Sequence, residues 1–232
     1  MKLSILFLLL LVIVPSARAF QIQPMVQQME ALGKESNTSY RLENTGRSDV
    51  TVEVSAFRRF LDVKGKEHLQ PADDDFLILP PQAVVAPGQF QVFRVKYMGQ
   101  EDTSKSISYR VDFRQLPVVS ELEDTGVKML FNFSTLVFIN PHDGKVEPKA
   151  RLQWRNKLPH LLMTNHGTEV MVLGEWQLEL RTKKARQQVL GELLRKTAPA
   201  SFVMPGRTLI IPLEGELAQS ISQAEIINVR KL

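Results

Sequence analysis

The chain has 232 residues, with 29 basic and 25 acidic side chains, a formal net charge of +4 and no cysteine. Its basic residues are dispersed and are not interleaved with aromatic ones, which argues against a nucleic-acid-binding protein. Without cysteine the chain can form no disulfide, thiolate nucleophile or cysteine-ligated metal site, so hydrophobic cores must supply its stability. Its length suffices for one large or two ordinary domains.

Residues 1–19 have the pattern of a secretory signal peptide. Lys2 is followed by about twelve apolar residues and then by the small-residue sequence Ala17-Arg18-Ala19, which is typical of a cleavage site. A membrane anchor is the alternative, but the apolar run is well short of the roughly 20 residues that a spanning helix needs. We therefore expect an exported protein whose mature chain begins at Phe20.

Short apolar strands with a period of two dominate residues 20–141, and no segment there predicts a convincing helix. The predicted strands are 38–44, 50–57, 76–79, 90–97, 108–118 and 127–141. The first two are interpreted as a hairpin, because turn residues around Gly46 separate them. About seven short strands at this spacing predict an antiparallel sandwich of the immunoglobulin type.

Residues 127–141 form an unusually long apolar, β-branched and aromatic run, for which we predict one continuous strand. An average strand has only about 5–6 residues. At period two, one face carries Val127, Met129, Phe131 and Phe133, and the other carries Leu130, Leu136 and Phe138. Because both faces need apolar cover, such a strand either crosses a large sheet or serves a partner.

A second sandwich is predicted for residues 142–232, after the hinge-like run 140–144. Its strand candidates are 150–154, 160–165, 169–180, 201–204, 208–213 and 225–229. Only 184–196 has a helical period, and Gly191 inside that segment makes a hairpin at least as acceptable. The predicted fold class is therefore all-β, with two tandem immunoglobulin-like β-sandwiches.

Five segments of the first predicted domain keep a specific order and spacing: 42–44 before a turn, 76–81, 86–89 leading to 93–95, 109–117 and 138–141. Together they resemble the PapD-like periplasmic chaperones of pilus assembly by the chaperone–usher route. The resemblance implies a boomerang of two domains with a cleft between them. It also implies a last strand of the first domain that is lent to an incomplete pilus or fimbrial subunit, and delivery to an outer-membrane usher without ATP.

Under this resemblance the face of Val127, Met129, Phe131 and Phe133 enters the subunit's groove, while Leu130, Leu136 and Phe138 serve the internal core. A donor must offer backbone hydrogen bonds and large apolar side chains at period two, which this segment does. The alternative is that the first four side chains simply fill this domain's own core, as apolar stripes in strands usually do.

The chain departs from the family at the two basic residues that bind the subunit's C-terminal carboxylate. The arginine position in the first strand falls near Gln27 or Gln28, and the lysine position in the donor strand falls at Leu136. Both basic side chains are missing, which favours a divergent, alternative or archaic branch. A carboxylate in a cleft still needs a cationic partner. In order of preference, the candidates are Arg110, which lies on the strand antiparallel to the donor, Arg114 and Arg94, each with a surface role as its alternative.

Enzymatic functions have little support. The four histidines are scattered without paired ligand spacing, and neither a nucleophile elbow nor a glycine-rich phosphate loop is present. We interpret Asp73-Asp74-Asp75 as a solvated acidic turn, because no calcium-loop spacing follows it. Neither catalysis nor a metal or cofactor is expected.

Two non-enzymatic alternatives to a chaperone stay open. The chain could be an exported pilus subunit or adhesin, or a two-domain adhesion module without chaperone activity. For a chaperone, a self-capping oligomer of the free protein is also left open, because a large exposed apolar patch seldom stays uncovered.

Overall fold

The computed structural model describes residues 20–62, 66–117, 129–182, 186–222, 224 and 226–232. The predicted signal peptide lies outside them. Two large apolar cores are present, one formed by side chains between Phe20 and Ile139 and the other by side chains between Leu161 and Ile221. We call the strands around the first core the first unit, and those around the second core the second unit.

The first unit consists of two packed sheets. Its strands are β1 (Phe20–Gln23), β2 (Val26–Glu30), β3 (Asn37–Asn44), β4 (Val50–Leu61), β5 (Glu67–Pro71), β6 (Phe76–Leu79), β7 (Gln82–Val85), β8 (Phe90–Tyr97), β9 (Ile107–Leu116) and β10 (Asn132–Asn140). One sheet has the order β1-β3-β8-β6, and the other has the order β2-β10-β9-β4-β5, with β7 paired to β4. Only the β2–β10 pairing is parallel among these strands.

Alternation along β4 shows how the sequence builds this sandwich. Val52 and Ala56 are fully buried in the first core, whereas Glu53 between them points outward and forms an ion pair with Arg114 on β9. Successive side chains of a strand point to opposite faces of its sheet. The apolar face of β4 therefore covers the four-stranded sheet, and its polar face is left toward the outside.

The predicted hairpin of residues 38–44 and 50–57 is wrong. Both strands exist, but β3 pairs with β1 and β8 in one sheet, while β4 pairs with β5, β7 and β9 in the other. Both strands carry a buried apolar face, which the two sheets turn toward the same core. The connection around Gly46 therefore crosses between sheets.

The predicted fifteen-residue strand is shorter in the structure. β10 begins at Asn132 and ends at Asn140. Residues 129–131 are described but are not part of a strand, and Val127 lies outside the described residues. Phe131 still accepts a backbone hydrogen bond from Gln115, at 2.9 Å, so the chain already runs beside β9 before β10 begins.

The second unit has three small sheets. Its elements are β11 (Pro148–Arg155), β12 (Leu158–Asn165), β13 (Met171–Val172), β14 (Trp176–Arg181), β15 (Arg186–Leu190), α1 (Gly191–Leu194), β16 (Phe202–Val203), β17 (Thr208–Pro212), α2 (Gly215–Ser222) and β18 (Ile226–Lys231). The sheet orders are β11-β12-β17, β13-β16 and β15-β14-β18. Sequence analysis missed α2.

Of the predicted segment 184–196, the structure describes residues 186–196, in which β15 pairs with β14 and then leads into the single turn of α1. Gly191 begins that turn in close contact with its neighbours. A Cβ atom at Gly191 would lie 1.7 Å from the backbone oxygen of Leu173, so only glycine fits there.

The acidic turn is more than solvated. The Oδ1 atom of Asp73 accepts a hydrogen bond from the Ala56 backbone N–H at 2.8 Å, and Oδ2 of Asp75 accepts one from the Tyr109 hydroxyl at 2.8 Å. Two of the three carboxylates therefore fix the turn to β4 and β9, which corrects the sequence interpretation. Across the described part of the chain, no helix has the length and apolar character needed to span a membrane.

Candidate functional site

The outer edge of β10 is only half covered. On one side, pairing with β9 extends from Asn132 to Ile139; on the other, pairing with β2 begins at Leu136. Among the described strands, none pairs with this outer edge between Asn132 and Thr135. An uncovered strand edge presents backbone N–H and C=O groups that can pair with another chain.

Apolar side chains flank this open edge. Met129 is 72% exposed and Leu130 is 49% exposed. Phe131 and Phe133 are half-buried at the rim of the first core, where the Phe133 ring meets the Phe20 ring edge-on at 4.7 Å. Met129 is thus the most accessible described member of the predicted donor row. Entry of that row into a partner's groove stays a prediction.

The prediction that Leu136 and Phe138 serve the internal core of the first domain is wrong. Val137 and Ile139 face that core and are fully buried. The strand's alternation turns Leu136 and Phe138 to the opposite face, where they form a small cluster with Val170, Phe202 and Met204 of the second unit. β10 is apolar on both faces because one face covers its own core and the other contacts the second unit. Leu130 is exposed, so it does not serve the internal core either.

Hydrogen bonds around Ser106 join the two units. The Ser106 hydroxyl donates to Oδ1 of Asn140 at 2.6 Å and accepts the Val170 backbone N–H at 2.8 Å. Asn140 Nδ2 in turn donates to Oε1 of Glu169 at 3.4 Å. Burial raises the pKa of the Glu169 carboxyl, which also lies near Glu175 and Glu30, although Lys231 acts in the opposite direction. Strand β10 thus ends in a shared polar junction.

Two cavities of about 240 and 440 Å³ lie between the end of β4 and the second unit. The side chains that line both are Arg59, Leu61, Met204 and Arg207. Arg207 comes from the second unit, and its Nη2 atom donates to the Leu61 backbone oxygen at 3.3 Å. The cleft therefore has an apolar wall and a guanidinium from each unit.

A cluster of three charges lies beside the cleft. Arg110 holds Glu67 with two hydrogen bonds, from Nε to Oε1 at 3.0 Å and from Nη2 to Oε2 at 2.9 Å, and Arg59 Nε donates to the same Oε2. The hydrogen bonds from Arg110 and then from Arg59 hold the pKa of the Glu67 carboxyl below its usual value. The Arg59 side chain is only 7% exposed, and its guanidinium lies 5.1 Å from the centre of the Phe202 ring. Two cations and one anion leave this cluster with a net positive charge.

Residues 20–145 match the family described as pili and flagellar-assembly chaperones, PapD N-terminal domain. This chain belongs to that family. The predicted resemblance is thereby confirmed. The assignment to a divergent branch is a separate prediction, which depends on the missing basic residues.

Solved chaperone structures share the fold at low sequence identity. A chain of the CsuC–CsuE chaperone–tip subunit complex of Acinetobacter baumannii is 18% identical, with a TM-score of 0.53 over 92% of this chain and 97% of that one. A chain of the complex of SafA pilin with the SafB chaperone of Salmonella enterica is 13% identical, with a TM-score of 0.55 over 94% of this chain and 99% of that one. The class 5 fimbriae chaperone CfaA is 12% identical, with a TM-score of 0.57 over 91% of this chain and 98% of its own.

A sequence comparison with curated proteins found no match. The structural neighbours confirm the predicted fold class of two tandem immunoglobulin-like sandwiches. At these low sequence identities, the structural neighbours establish the fold alone.

The structure brings Arg110 close to the position of the missing lysine. Arg110 is the direct antiparallel partner of Leu136 in the β9–β10 pairing; the sequence predicts only that it lies near the hinge end of the donor strand. On the other side of β10, Gln27 and Gln28 are the partners of Val137 and Phe138. Both family positions are therefore neutral here, and a cation occurs on the neighbouring strand.

The other two arginine candidates lie elsewhere. Arg114 is opposite Asn132 at the far end of β10, is 63% exposed and pairs with Glu53. Arg94 is exposed on β8, in the other sheet. Neither one lines the two cavities between the units. Arg110 does not line them either, but of the three candidates it is the one that shares Glu67 with the cavity-lining Arg59.

Sequence analysis missed Arg59, Glu67 and Ser106. Arg59 belongs to the run Phe57-Arg58-Arg59-Phe60, whose adjacent arginines break the alternation that marks β4 as a strand. At period two it nevertheless shares the outward face of Glu53, which is the signal that could have found it. Ser106 has no local signal, because its partners are far along the chain. The same holds for the contact of Glu67 with Arg110, although Arg59 is only 8 residues from Glu67.

Proposed function

We propose that this chain is a periplasmic chaperone that stabilises a pilus or fimbrial subunit by lending it the segment that leads into β10 together with the open start of β10, and then delivers it to an outer-membrane usher. The observation that supports this most is the edge of β10 from Asn132 to Ser134, which no described strand covers and which ends where Thr135 is fully buried. Strand addition at such an edge supplies main-chain hydrogen bonds, and alternate side chains supply specificity.

The open edge of β10 offers what an incomplete subunit lacks. A subunit that lacks one strand exposes an apolar groove and unpaired backbone groups, and both invite aggregation. Val127, Met129, Phe131 and Phe133 are the side chains that we assign to that groove. Two structural neighbours are chaperones in complexes with a tip subunit and a pilin, which supports a subunit as the partner here.

The cleft supports a second contact. A subunit's C-terminal carboxylate needs a cationic partner when it leaves water, and arginine offers two parallel hydrogen bonds to it. We assign this contact to Arg110 together with Arg59, which lines both cavities with Arg207. Export, cleavage before Phe20 and a domain boundary at Pro141 belong to the same proposal.

Periplasmic co-expression with the products of neighbouring genes tests the function. The tagged chain is purified, and its companions are identified by mass spectrometry. We expect one stoichiometric small subunit. Recovery of the chain alone, as a stable monomer, would favour the adhesion-module alternative and overturn the proposal.

Two matched variants test the donor row. Met129→Glu alters a side chain that is 72% exposed, so the fold should not change, but it would bury an unpaired charge in the groove and abolish subunit recovery. Phe131 is less suitable because it also packs on the core. Val84→Glu is the control, since Val84 is 63% exposed on β7. Equal subunit yields from the wild type, Met129→Glu and Val84→Glu would refute the assignment of the Met129 face to the subunit's groove.

A further inference from the structure

Glu67 occupies the position that a ligand carboxylate would be expected to take. Its Oε1 atom accepts from Arg110 Nε at 3.0 Å, and its Oε2 atom accepts from Arg110 Nη2 at 2.9 Å and also from Arg59 Nε. This is the side-on, two-bond geometry with which arginine binds any carboxylate. The chain thus supplies its own anion to both guanidiniums.

The place of the cluster in the fold matches this interpretation. Arg110 is directly opposite Leu136, and Arg59 lines both cavities between the units. Glu67 reaches the pair from β5, which forms the edge of its sheet. While Glu67 stays, the Nε–Nη2 side of Arg110 is not available to another carboxylate.

The three side chains of the cluster differ in their exposure to water. Glu67 is 29% exposed and Arg110 is 24% exposed, whereas Arg59 is 7% exposed. The acid therefore has access to water, where a released carboxylate is well solvated, while the more buried cation stays in the cleft. A guanidinium that remains needs a new anion, because an unpaired buried charge is costly.

We infer that Glu67 is an internal stand-in for the subunit's carboxylate, and that this carboxylate displaces it when the subunit binds. The inference deepens the proposed function, on which it depends for the identity of the ligand. Glu67 keeps both arginines paired in the free chaperone and makes stray carboxylates weak ligands. A subunit that also adds a strand to β10 can displace it, so Glu67 contributes to selectivity.

A peptide titration tests the inference without a subunit. The full chain, labelled with ¹⁵N, is titrated with N-acetyl-Gly-Gly-Phe, whose only charge is its C-terminal carboxylate, and with the corresponding C-terminal amide. The arginine Nε–H signals report binding. We expect Glu67→Gln to bind the acid about tenfold more tightly than the wild type, because a charged hydrogen-bond competitor is removed. The amide should bind to neither protein.

Glu53→Gln is the matched control. It releases Arg114 from its ion pair on the same sheet, and the affinity for the peptide should match that of the wild type. If Glu67→Gln binds the acid no more tightly than the wild type does, Glu67 is a fixed structural partner and the inference is overturned. A tenfold gain in Glu53→Gln would overturn it as well, because any freed arginine would then suffice.

A second variant covers the case in which Glu67→Gln does not fold. Glu67→Asp keeps the charge but is one methylene shorter, so it cannot reach both guanidiniums equally. It should bind the acid more tightly than the wild type, and equal or weaker binding would overturn the inference. Subunit recovery by the wild-type chain is scored separately, so a failure of the proposed function is distinguished from a failure of the displacement.

Discussion

Arg110 and Leu136 face each other across the β9–β10 pairing. The family resemblance implies a lysine at the position of Leu136, and Arg110 places a cation on the neighbouring strand, directly opposite that position. Arg110 and Arg59 both donate hydrogen bonds to Glu67. We therefore expect that a cation on either strand of the β9–β10 pair can bind the subunit's carboxylate.

Replacing Arg110 by alanine should weaken subunit capture by about 2–5 kcal/mol, the usual cost of removing one side of a buried charge pair. Dissociation of the purified complex in increasing denaturant measures this loss. Arg94→Ala is the control, because Arg94 is exposed on β8 in the other sheet. If the complex with Arg110→Ala is as stable as the wild-type complex, the anchor lies elsewhere.

Exchanging the two residues across the pairing tests the relocation of the charge. Leu136→Lys alone should destabilise the free protein, because Leu136 is only 6% exposed and Arg110 is its direct neighbour, so two cations would come together. Leu136→Lys combined with Arg110→Leu keeps one cation, and we expect it to regain most of the capture. A double-mutant cycle of complex stability measures the coupling. Additive losses in that cycle would contradict the relocation.

Strands with strict alternation could be predicted from the sequence almost to the residue. Residues 90–97 were predicted as a strand and form β8, because Phe93, Val95 and Tyr97 are buried at every second position. The sheet that each strand joins was not predictable, as β3 and β4 demonstrate, because adjacent strands can pair or pack face to face with the same local pattern.

The candidate site, too, could be predicted from the sequence only in part. The place of Arg110 beside Leu136 follows from counting along two strands that form an antiparallel pair. The contact between Arg59 and Glu67 depends on the pairing of β5 with the end of β4. The end of β4 was not predicted as a strand, because Arg58 and Arg59 interrupt its apolar alternation. Arg59 meets Glu67 through the local β4–β5 pairing, whereas Arg110 meets it only through the long-range β4–β9 pairing, which no local pattern indicates.

Ser106→Ala should destabilise the chaperone by about 1–3 kcal/mol, because it leaves the Val170 N–H and the Asn140 Oδ1 without a partner in a buried junction. Equilibrium denaturation measures the change. Thr103→Val is a matched control: both residues are 7% exposed, and within the described part of the chain the Thr103 hydroxyl has no hydrogen-bond partner. The control should be neutral or slightly stabilising. Equal losses would mean that the hydrogen bonds of Ser106 are not what matters.

Glu169→Gln should stabilise the chaperone at pH 7. Burial raises the pKa of Glu169 in the folded protein, so the folded state holds a proton more tightly than the unfolded state does. The stability of the wild type should therefore fall as the pH rises from the unfolded pKa, about 4.3, through the folded pKa, and stay lower above it.

Glutamine carries no charge at any pH and can still accept the hydrogen bond from Asn140. The gain in unfolding free energy should thus be present at pH 7 and vanish below about pH 4, as measured by urea denaturation across this range. Glu101→Gln removes one negative charge from an exposed loop and controls for the change in net charge. A gain that persists unchanged at pH 3.5 would show that the charge of Glu169 is not its cause. In that case the amide would stabilise the junction through its own hydrogen bonds.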